Sequence, residues 1–218
     1  MATSDGSQTS ALRSVIWALR SILGLRRPAP GEALPAPCPA SNAWVLETRL
    51  ARWHARRIVG HMNLRPGMRV LDVGCGPGRF TLPLAASVGP DGRVVALDLQ
   101  PEMLERLRDK AAAAGMANIT AVQGGAGEGK VPAEEFDRGL LASVLGEIPA
   151  EQRTQALREI RQVLGPDGIL YVVEVARFDP DYLAVPLVGG LLRECGLSAI
   201  KVTRIWPAYL MACRVEHD

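Results

Sequence analysis

Three glycines and two aspartates in this sequence have the types and spacing to bind a nucleotide-like ligand. Asp72 precedes Gly74, Gly76 and Gly78 in the run Val-Leu-Asp-Val-Gly-Cys-Gly-Pro-Gly, and Asp98 closes a second apolar run. Glycine lacks a Cβ atom, so such a loop takes positive φ angles, lets a ligand lie against its backbone, and points amides from the start of the next helix. The pattern predicts a strand, a tight turn and a helix that hold a ligand.

The spacing around the glycines narrows the class of ligand. In the dinucleotide fingerprint G-x-G-x-x-G the third glycine would stand at position 79, which is Arg79 here. Asp72 lies two residues before Gly74, where an anion disfavours a pyrophosphate and suits an ammonium group. Asp98 lies 20 residues after Gly78, where an acid accepts both hydroxyls of a ribose. Together the two acids indicate an adenosine that carries an amino acid.

The glycine loop and the motifs that follow it resemble the class I S-adenosylmethionine-dependent methyltransferases. The order of the motifs is similar to the small-molecule branch that includes the ubiquinone and menaquinone-biosynthesis methyltransferases, the type 11-like group. The motifs are Asp72–Gly78, Val94–Asp98, Phe136–Asp137, Val144–Pro149 and Val163–Gly168. The resemblance covers roughly Leu64 to Arg214, and a Rossmann-like domain that binds another ligand is the alternative.

The resemblance implies an α/β fold, a Rossmann-like three-layer sandwich around a mostly parallel seven-stranded sheet with one antiparallel strand. It implies an enzyme that transfers a methyl group from S-adenosylmethionine to a small-molecule acceptor by in-line displacement. A lipid-like molecule is one candidate for this acceptor. The sulfonium is already activated, so orientation and exclusion of water suffice unless the proton of the acceptor has a high pKa. The competing hypothesis is a non-catalytic cofactor-binding or docking subunit with the same fold.

The resemblance also assigns cofactor-binding residues one by one. Asp72 would meet the amino group of S-adenosylmethionine, directly or through water, and Asp98 would bind the ribose. The glycines would form the floor under the cofactor, and Leu99 would lie against the adenine. The full predicted set is Asp72, Gly74, Gly76, Gly78, Asp98, Leu99, Gly125, Ala126 and Ser143.

One position departs from the pattern of the family. After the third strand the family usually has an acid that accepts the adenine amino group, but this sequence has Gln-Gly-Gly-Ala at 123–126. Backbone groups of Gly125 and Ala126 can still face the adenine, and Glu128 can reach back. The loss of one hydrogen bond to a neutral group weakens binding by about 1 kcal/mol, so the departure lowers affinity without abolishing it. Intact Asp72 and Asp98 favour the enzyme, whereas the departure favours the docking subunit.

The candidate catalytic base is Glu147, because it follows the fourth predicted strand at the edge where this fold places its substrate. Its alternative role is to cap the next helix or to pair with an arginine. Glu174, at the end of the fifth predicted strand, is the second candidate. His54 and His61 lie seven residues apart in a predicted helix, hence on one face. For each of them the two alternative roles are a catalytic base and a structural polar residue beside a turn. None of these residues identifies the atom that is methylated.

Alternating strand and helix patterns predict a parallel sheet with right-handed crossovers. Pro101 and Glu102 suit the first turn of one helix, which ends at Gly115. The last two strands are predicted to form an antiparallel hairpin. Strands are predicted at 69–73, 94–98, 119–123, 137–142, 169–175, 199–205 and 209–215, and helices at 42–62, 79–86, 101–115 and 151–164.

The N-terminal part of the chain has a different composition from the rest. Residues 1–66 contain nine Lys/Arg and three Asp/Glu, a net charge of +6 within a chain whose formal net charge is +2. Residues 11–27 have the periodicity of an amphipathic helix with a basic stripe at Arg13, Arg20 and Arg27. That helix either packs on the domain or a dimer partner, attaches to an anionic membrane surface, or is a targeting segment. We divide the chain into this helix with a proline-rich linker, 1–40, and a methyltransferase domain, 41–218.

Composition excludes several other classes. The four cysteines lie far apart, so neither a metal site nor a redox motif is predicted, and no apolar run approaches the ~20 residues of a membrane span. Aromatic residues are not interleaved with basic ones outside residues 44–57, and the Asn/Asp-Pro-Pro-aromatic motif of nucleic-acid amino methyltransferases is absent, which argues against a nucleic-acid substrate. We expect a cytoplasmic protein, peripheral to a membrane if residues 11–27 bind one.

Overall fold

The computed structural model describes residues 38–175 and 182–216. The predictions made for residues 11–27 and for the linker before residue 38 lie outside these ranges. Helices are α1 Ala43–Leu46, α2 Arg49–Val59, α3 Thr81–Val88, α4 Pro101–Ala113, α5 Arg153–Gln162 and α6 Val185–Glu194. Strands are β1 Arg69–Val73, β2 Arg93–Asp98, β3 Ile119–Gln123, β4 Phe136–Ala142, β5 Leu164–Val175, β6 Leu197–Ile205 and β7 Ala208–Val215.

The strands form one seven-stranded sheet in the order β3-β2-β1-β4-β5-β7-β6, and β7 runs antiparallel to both of its neighbours. The predicted fold class, including the single reversed strand and the final hairpin, is confirmed. Helices cover both faces, because strands of a parallel sheet bury side chains on each side. Helices α2, α3 and α4 lie on one face and α5 and α6 on the other. Within the described ranges no helix has the length and apolarity needed to cross a bilayer.

The helix predicted at 42–62 is in fact interrupted. α1 stops at Leu46, and Thr48 takes an extended conformation from which its hydroxyl accepts a hydrogen bond from Ala51 N at 3.2 Å. A threonine in that position caps a new helix, because its oxygen satisfies an amide that has no partner within the helix. The helical periodicity continues across this junction, and only the cap shows that the chain turns there.

The start of β5 also differs from the prediction. Residues 164–168, which precede the predicted strand at 169–175, already belong to β5, and β5 pairs with β4 through a register shift between Phe136 and Arg138. The buried Arg138, unexpected in a strand, donates from Nη1 to the carbonyl oxygens of Asp137 at 2.6 Å and Asp167 at 3.4 Å. Arg138 therefore stabilises the irregular pairing between the two strands.

Candidate cofactor and substrate site

The sheet brings the predicted acids together at a point where the strand order reverses. β1 pairs with β2 on one side and with β4 on the other, and Val73 lies opposite both Leu97 and Leu141. The crossovers leave β1 in opposite directions here, which opens a crevice at the carboxyl ends of the strands. Asp72, Asp98 and the loop after β4 therefore share one edge of the sheet.

The glycine loop is held against β2 by its own backbone. The amides of Gly74 and Cys75 donate to the carbonyl of Leu97 at 2.7 and 3.0 Å. Gly74, Gly76 and Gly78 have φ angles of +67°, +53° and +87°. A Cβ atom on Gly74 would overlap with Val144 of the loop after β4, so glycine is required there by both conformation and space. The loops after β1 and β4 thus pack against each other.

Asp98 both shapes the glycine loop and faces the crevice. Its Oδ2 accepts a hydrogen bond from Gly76 N at 2.7 Å, and its Oδ1 accepts one from Gln100 N at 2.9 Å. Burial raises the pKa of Asp98, and these two hydrogen bonds oppose the shift. Each carboxylate oxygen still has a lone pair that can accept a ribose hydroxyl.

Asp72 is buried beneath the loop beside a hydroxyl that the sequence analysis did not single out. Its Oδ2 accepts a hydrogen bond from Thr81 Oγ1 at 2.6 Å. Burial raises the pKa of Asp72 to about 7, the Thr81 hydrogen bond opposes this shift, and the charge of Asp98 adds to it. In the sequence, the feature that could have pointed to Thr81 is its position at the start of the helix that follows the glycines. A carboxyl in this state gains most from a cationic ligand.

The stability of the ligand-free protein should depend on the protonation of Asp72. Its folded-state pKa of about 7 lies above the ordinary 3.8, so its contribution is fully present below about pH 4 and is lost as the pH rises through about 7. Asp72→Asn, which cannot ionise, is expected to flatten the pH dependence of the free energy of unfolding in this window, measured by urea denaturation. Asp91→Asn, at an exposed turn, is the control. An unchanged slope in Asp72→Asn would contradict the assignment.

The predicted adenine side has Leu99 and Glu128 packed around Gly125. The Gly125 amide donates to Glu128 Oε2 at 3.0 Å. A Cβ atom on Gly125 would lie 3.0 Å from Leu99 Cδ2 and 3.1 Å from Glu128 Cδ, so a larger residue would push both side chains away. Glu128 therefore reaches back to the Gly125 amide, and its contact with an adenine stays a prediction.

The loop after β4 carries the remaining candidates. Ser143 has a φ of +56° and its amide donates to Val173 O at 2.8 Å. Glu147 is half-buried, and its amide donates to Val144 O at 2.9 Å. Arg153, the first residue of α5, donates to two carbonyl oxygens of this loop and so shapes it. The roles of Ser143 in cofactor binding and of Glu147 as base stay predictions.

A segment that precedes α2 crosses over the glycine loop. Gln100 donates to Cys38 O at 2.8 Å and accepts from Ala40 N at 3.0 Å. Lys110 pairs with Glu47 and also donates to Pro77 O at 2.8 Å. These partners lie more than 30 residues apart in sequence, so no local pattern could have found them. Leu46 of this segment also packs against the loop, since a Cβ atom on Gly76 would lie 3.6 Å from Leu46 Cδ1.

His54 connects three parts of the fold. Arg79 donates from Nε to Ala51 O at 3.3 Å, and its Nη2 lies 3.2 Å from His54 Nδ1. Arginine only donates, so Nδ1 accepts, and His54 Nε2 carries the hydrogen that faces Ile205 O at 3.2 Å. Burial lowers the pKa of His54 and keeps it neutral. Both ring nitrogens are occupied, which fits a structural role.

The expectation that His61 lies on the same helix face as His54 is wrong, since α2 ends at Val59.

A cavity of about 550 Å³ lies between α2, α3 and α4. Its lining includes Gly78 and Arg79 of the glycine loop but neither Asp72 nor Asp98. This cavity is therefore separate from the crevice in which the predicted cofactor-binding acids lie.

Comparison with known proteins identifies similar sequences. A family model described as a methyltransferase domain matches residues 70–168. Demethylmenaquinone methyltransferase from Geobacillus stearothermophilus is 30% identical over 146 residues, which are 67% of this chain and 61% of that protein. The protein of the same name from Symbiobacterium thermophilum is 35% identical over 127 residues, 58% of this chain and 49% of that protein. The chain thus spans about half to three fifths of the length of these curated relatives.

Solved structures share the fold. A SAM-dependent methyltransferase from Aquifex aeolicus superposes with a TM-score of 0.73 at 22% identity, covering 81% of this chain and 98% of that one. A TehB-like SAM-dependent methyltransferase from Corynebacterium glutamicum superposes with a TM-score of 0.62 at 17% identity, covering 97% of this chain and 100% of that one. At such identities the likeness concerns the fold.

Proposed function

We propose that this chain, which contains a domain similar to the class I S-adenosylmethionine-dependent methyltransferases and to the menaquinone methyltransferases among them, transfers a methyl group from S-adenosylmethionine to a small-molecule acceptor. The observation that carries the proposal is the glycine loop with Asp72 and Asp98 at one sheet edge. The names of the curated relatives support a lipid-like acceptor. These relatives do not favour the alternative of a non-catalytic docking subunit.

The residues of the crevice fit S-adenosylmethionine, the cofactor that the family and the fold imply. The cofactor supplies a methyl group on a positively charged sulfur. Asp72 would receive its ammonium group, which would offset the unfavourable burial of that carboxylate. Asp98 would accept the ribose hydroxyls, and Glu128 would accept the adenine amino group beside Leu99.

Orientation and exclusion of water would do most of the catalytic work in this site. The segment before α2, anchored by Gln100 and Lys110, would cover the cofactor side of the crevice. The loop after β4 borders the crevice where the acceptor would approach, and it is held against Gly74 by Val144. This packing would keep the acceptor and the methyl group in line.

Glu147 is proposed as the base that takes the proton of the acceptor. Glu147→Gln is expected to lower kcat by about 100-fold or more, because a positioned base contributes about that factor, while the affinity for S-adenosylmethionine stays unchanged. Steady-state kinetics across pH with calorimetry of cofactor binding measures both. Glu151→Gln, on the exposed turn before α5, is the matched control. An unchanged kcat would remove Glu147 from the mechanism.

The proposed function is tested first by calorimetric titration with S-adenosylmethionine and S-adenosylhomocysteine. Binding of both is expected, and Glu128→Gln should weaken both several-fold through the adenine contact. Transfer of a labelled methyl group to lipid-soluble quinols then tests the acceptor class. Failure of the wild-type protein to bind either ligand would support the docking subunit instead.

We also propose that the protein is cytoplasmic and contacts a membrane peripherally through residues 11–27. The basic stripe of that segment and a lipid-like acceptor support this proposal. Deletion of residues 1–30 should lower partitioning into anionic vesicles, measured by sedimentation. Unchanged partitioning would contradict a role for that segment.

A further inference from the structure

The outward face of α2 combines exposed apolar side chains with arginines. Leu50 is 73% exposed and Trp53 is 53% exposed. Arg49, Arg52, Arg56 and Arg57 are exposed on the same helix, and α2 has no acidic residue. The opposite side of the helix, with Ala55 and Ile58, is buried in the core. We define the α2 face as Arg49, Leu50, Trp53 and Arg57.

A second exposed tryptophan lies beside this helix. Trp206, in the turn between β6 and β7, is 72% exposed. The preceding residue, Ile205, is bonded through its carbonyl to His54 of α2, which places the turn next to the helix. Leu50 and Trp53 on α2 and Trp206 in the turn next to this helix are thus large apolar side chains exposed to solvent. Single exposed apolar residues are ordinary, but a group of large ones rimmed by charge indicates an interaction surface.

Among the described residues, the charged side chains of the α2 face and just before the turn that carries Trp206 are cationic. The Arg57 guanidinium lies 5.0 Å from the centre of the Trp53 ring, so this pair forms a cation–π contact. Glu47, the acidic residue that precedes α2, is paired with Lys110 and lies 3.7 Å from Arg106. Arg204 adds an exposed cation just before the turn that carries Trp206. The α2 face is therefore apolar, cationic and without an acidic side chain on its own helix.

We propose that the α2 face and Trp206 dock the domain on an anionic lipid bilayer. Tryptophan prefers the boundary between headgroups and acyl chains, leucine inserts below it, and arginine binds lipid phosphates. A nucleic acid fits less well, because Leu50 offers no ring for base stacking and Arg57 covers one face of Trp53. This surface belongs to the folded domain and consists of residues other than 11–27.

The docked helix is directly connected to the cofactor side of the fold. Arg79, which follows the last glycine of the loop, holds α2 through Ala51 and His54. A bilayer beneath α2 would therefore lie at a fixed position relative to the crevice. Docking does not require turnover, so its failure leaves the proposed function untouched, and cofactor binding is measured separately.

The chain carries its own reporters for this contact. It has four tryptophans, Trp17, Trp44, Trp53 and Trp206. The variant Trp17→Phe/Trp44→Phe leaves fluorescence from Trp53 and Trp206, which is expected to be quenched by phosphatidylglycerol vesicles with brominated acyl chains. Little quenching is expected with phosphatidylcholine vesicles or at high salt, because screening removes the attraction of the arginines. No quenching with the anionic vesicles would overturn the proposal.

Charge reversal separates this surface from a general effect of positive charge. Arg49→Glu/Arg57→Glu is expected to lower vesicle affinity at least tenfold while the calorimetric affinity for S-adenosylmethionine is kept, which also shows that the variant folds. Arg158→Glu/Arg193→Glu makes the same change in net charge at exposed residues of α5 and α6, on the other face of the sheet. An equal loss in both variants would overturn the proposal.

Two other occupants of the surface are distinguished by the same reporters. Stronger quenching of Trp53 and Trp206 by a single-stranded RNA oligonucleotide than by vesicles would assign the surface to nucleic acid. If deletion of residues 1–30 increases acrylamide quenching of these tryptophans in solution, the N-terminal segment covers the surface. Either result would overturn the proposal of a bilayer.

Discussion

Asp98→Ala is expected to weaken the binding of S-adenosylmethionine by about 100-fold. Two hydrogen bonds from ribose hydroxyls to a carboxylate contribute about 3 kcal/mol together, which corresponds to that factor. The same substitution removes the acceptor of the Gly76 amide, so the glycine loop also loses its anchor. Calorimetric titration with S-adenosylmethionine and S-adenosylhomocysteine measures the effect, and both ligands should weaken alike because they share the ribose.

Two variants accompany this measurement. Asp98→Asn keeps the shape of the side chain and distinguishes loss of charge from collapse of the loop, with thermal denaturation as the check on folding. Asp91→Ala, at the exposed turn before β2, should bind both ligands like the wild-type protein. If Asp98→Ala lowers affinity less than fivefold, the ribose is not bound at the end of β2 and the assignment of the crevice is wrong.

Gly74→Ala is expected to abolish measurable cofactor binding and to lower the free energy of unfolding by about 3 kcal/mol. Alanine at the positive φ of this position costs about 1 kcal/mol, and overlap with Val144 adds about 2 kcal/mol. Relief of the overlap would push apart the loops after β1 and β4, which form the two sides of the crevice. Urea denaturation and calorimetry measure the two effects.

The matched control for Gly74 is Gly115, which lies just past the C-terminal end of α4. Gly115 has a φ of +65°, but a Cβ atom there would meet nothing within 4 Å. Gly115→Ala should therefore cost only about 1 kcal/mol and leave cofactor binding intact. The double variant Gly74→Ala/Val144→Ala should regain part of the lost stability, because it removes the methyl groups that the new Cβ meets. Equal effects of Gly74→Ala and Gly115→Ala would show that the contact with Val144 is unimportant.

Some properties of the protein follow from the sequence alone because they depend on local chemistry. Apolar runs that end in Asp72 and Asp98 predict buried parallel strands, and the glycines between them predict a loop with positive φ, as found. The reversed last strand followed from the family resemblance and is confirmed. The ligand roles of these residues stay predictions, since the fold brings them together without stating what they bind.

Other properties were decided only by the tertiary structure. The break at Thr48 depends on a cap that interrupts a continuous helical periodicity, and the buried Arg138 depends on irregular pairing between two strands. The segment over the glycine loop is held by Gln100, whose partners lie 60 and 62 residues away.

The α2 face shows the same limit of sequence-based prediction. Periodicity indicates that a helix has an apolar side, but Leu50 and Trp53 lie on the solvent side, and only the packing of Ala55 and Ile58 against the sheet establishes this. The position of the turn that carries Trp206, next to α2, depends on a hydrogen bond across 151 residues. The sequence by itself determined the strands β1 and β2, the acids near their carboxyl ends and the glycine loop, because those depend on neighbouring residues. The tertiary structure decided which surfaces remain exposed, because exposure depends on what distant segments cover.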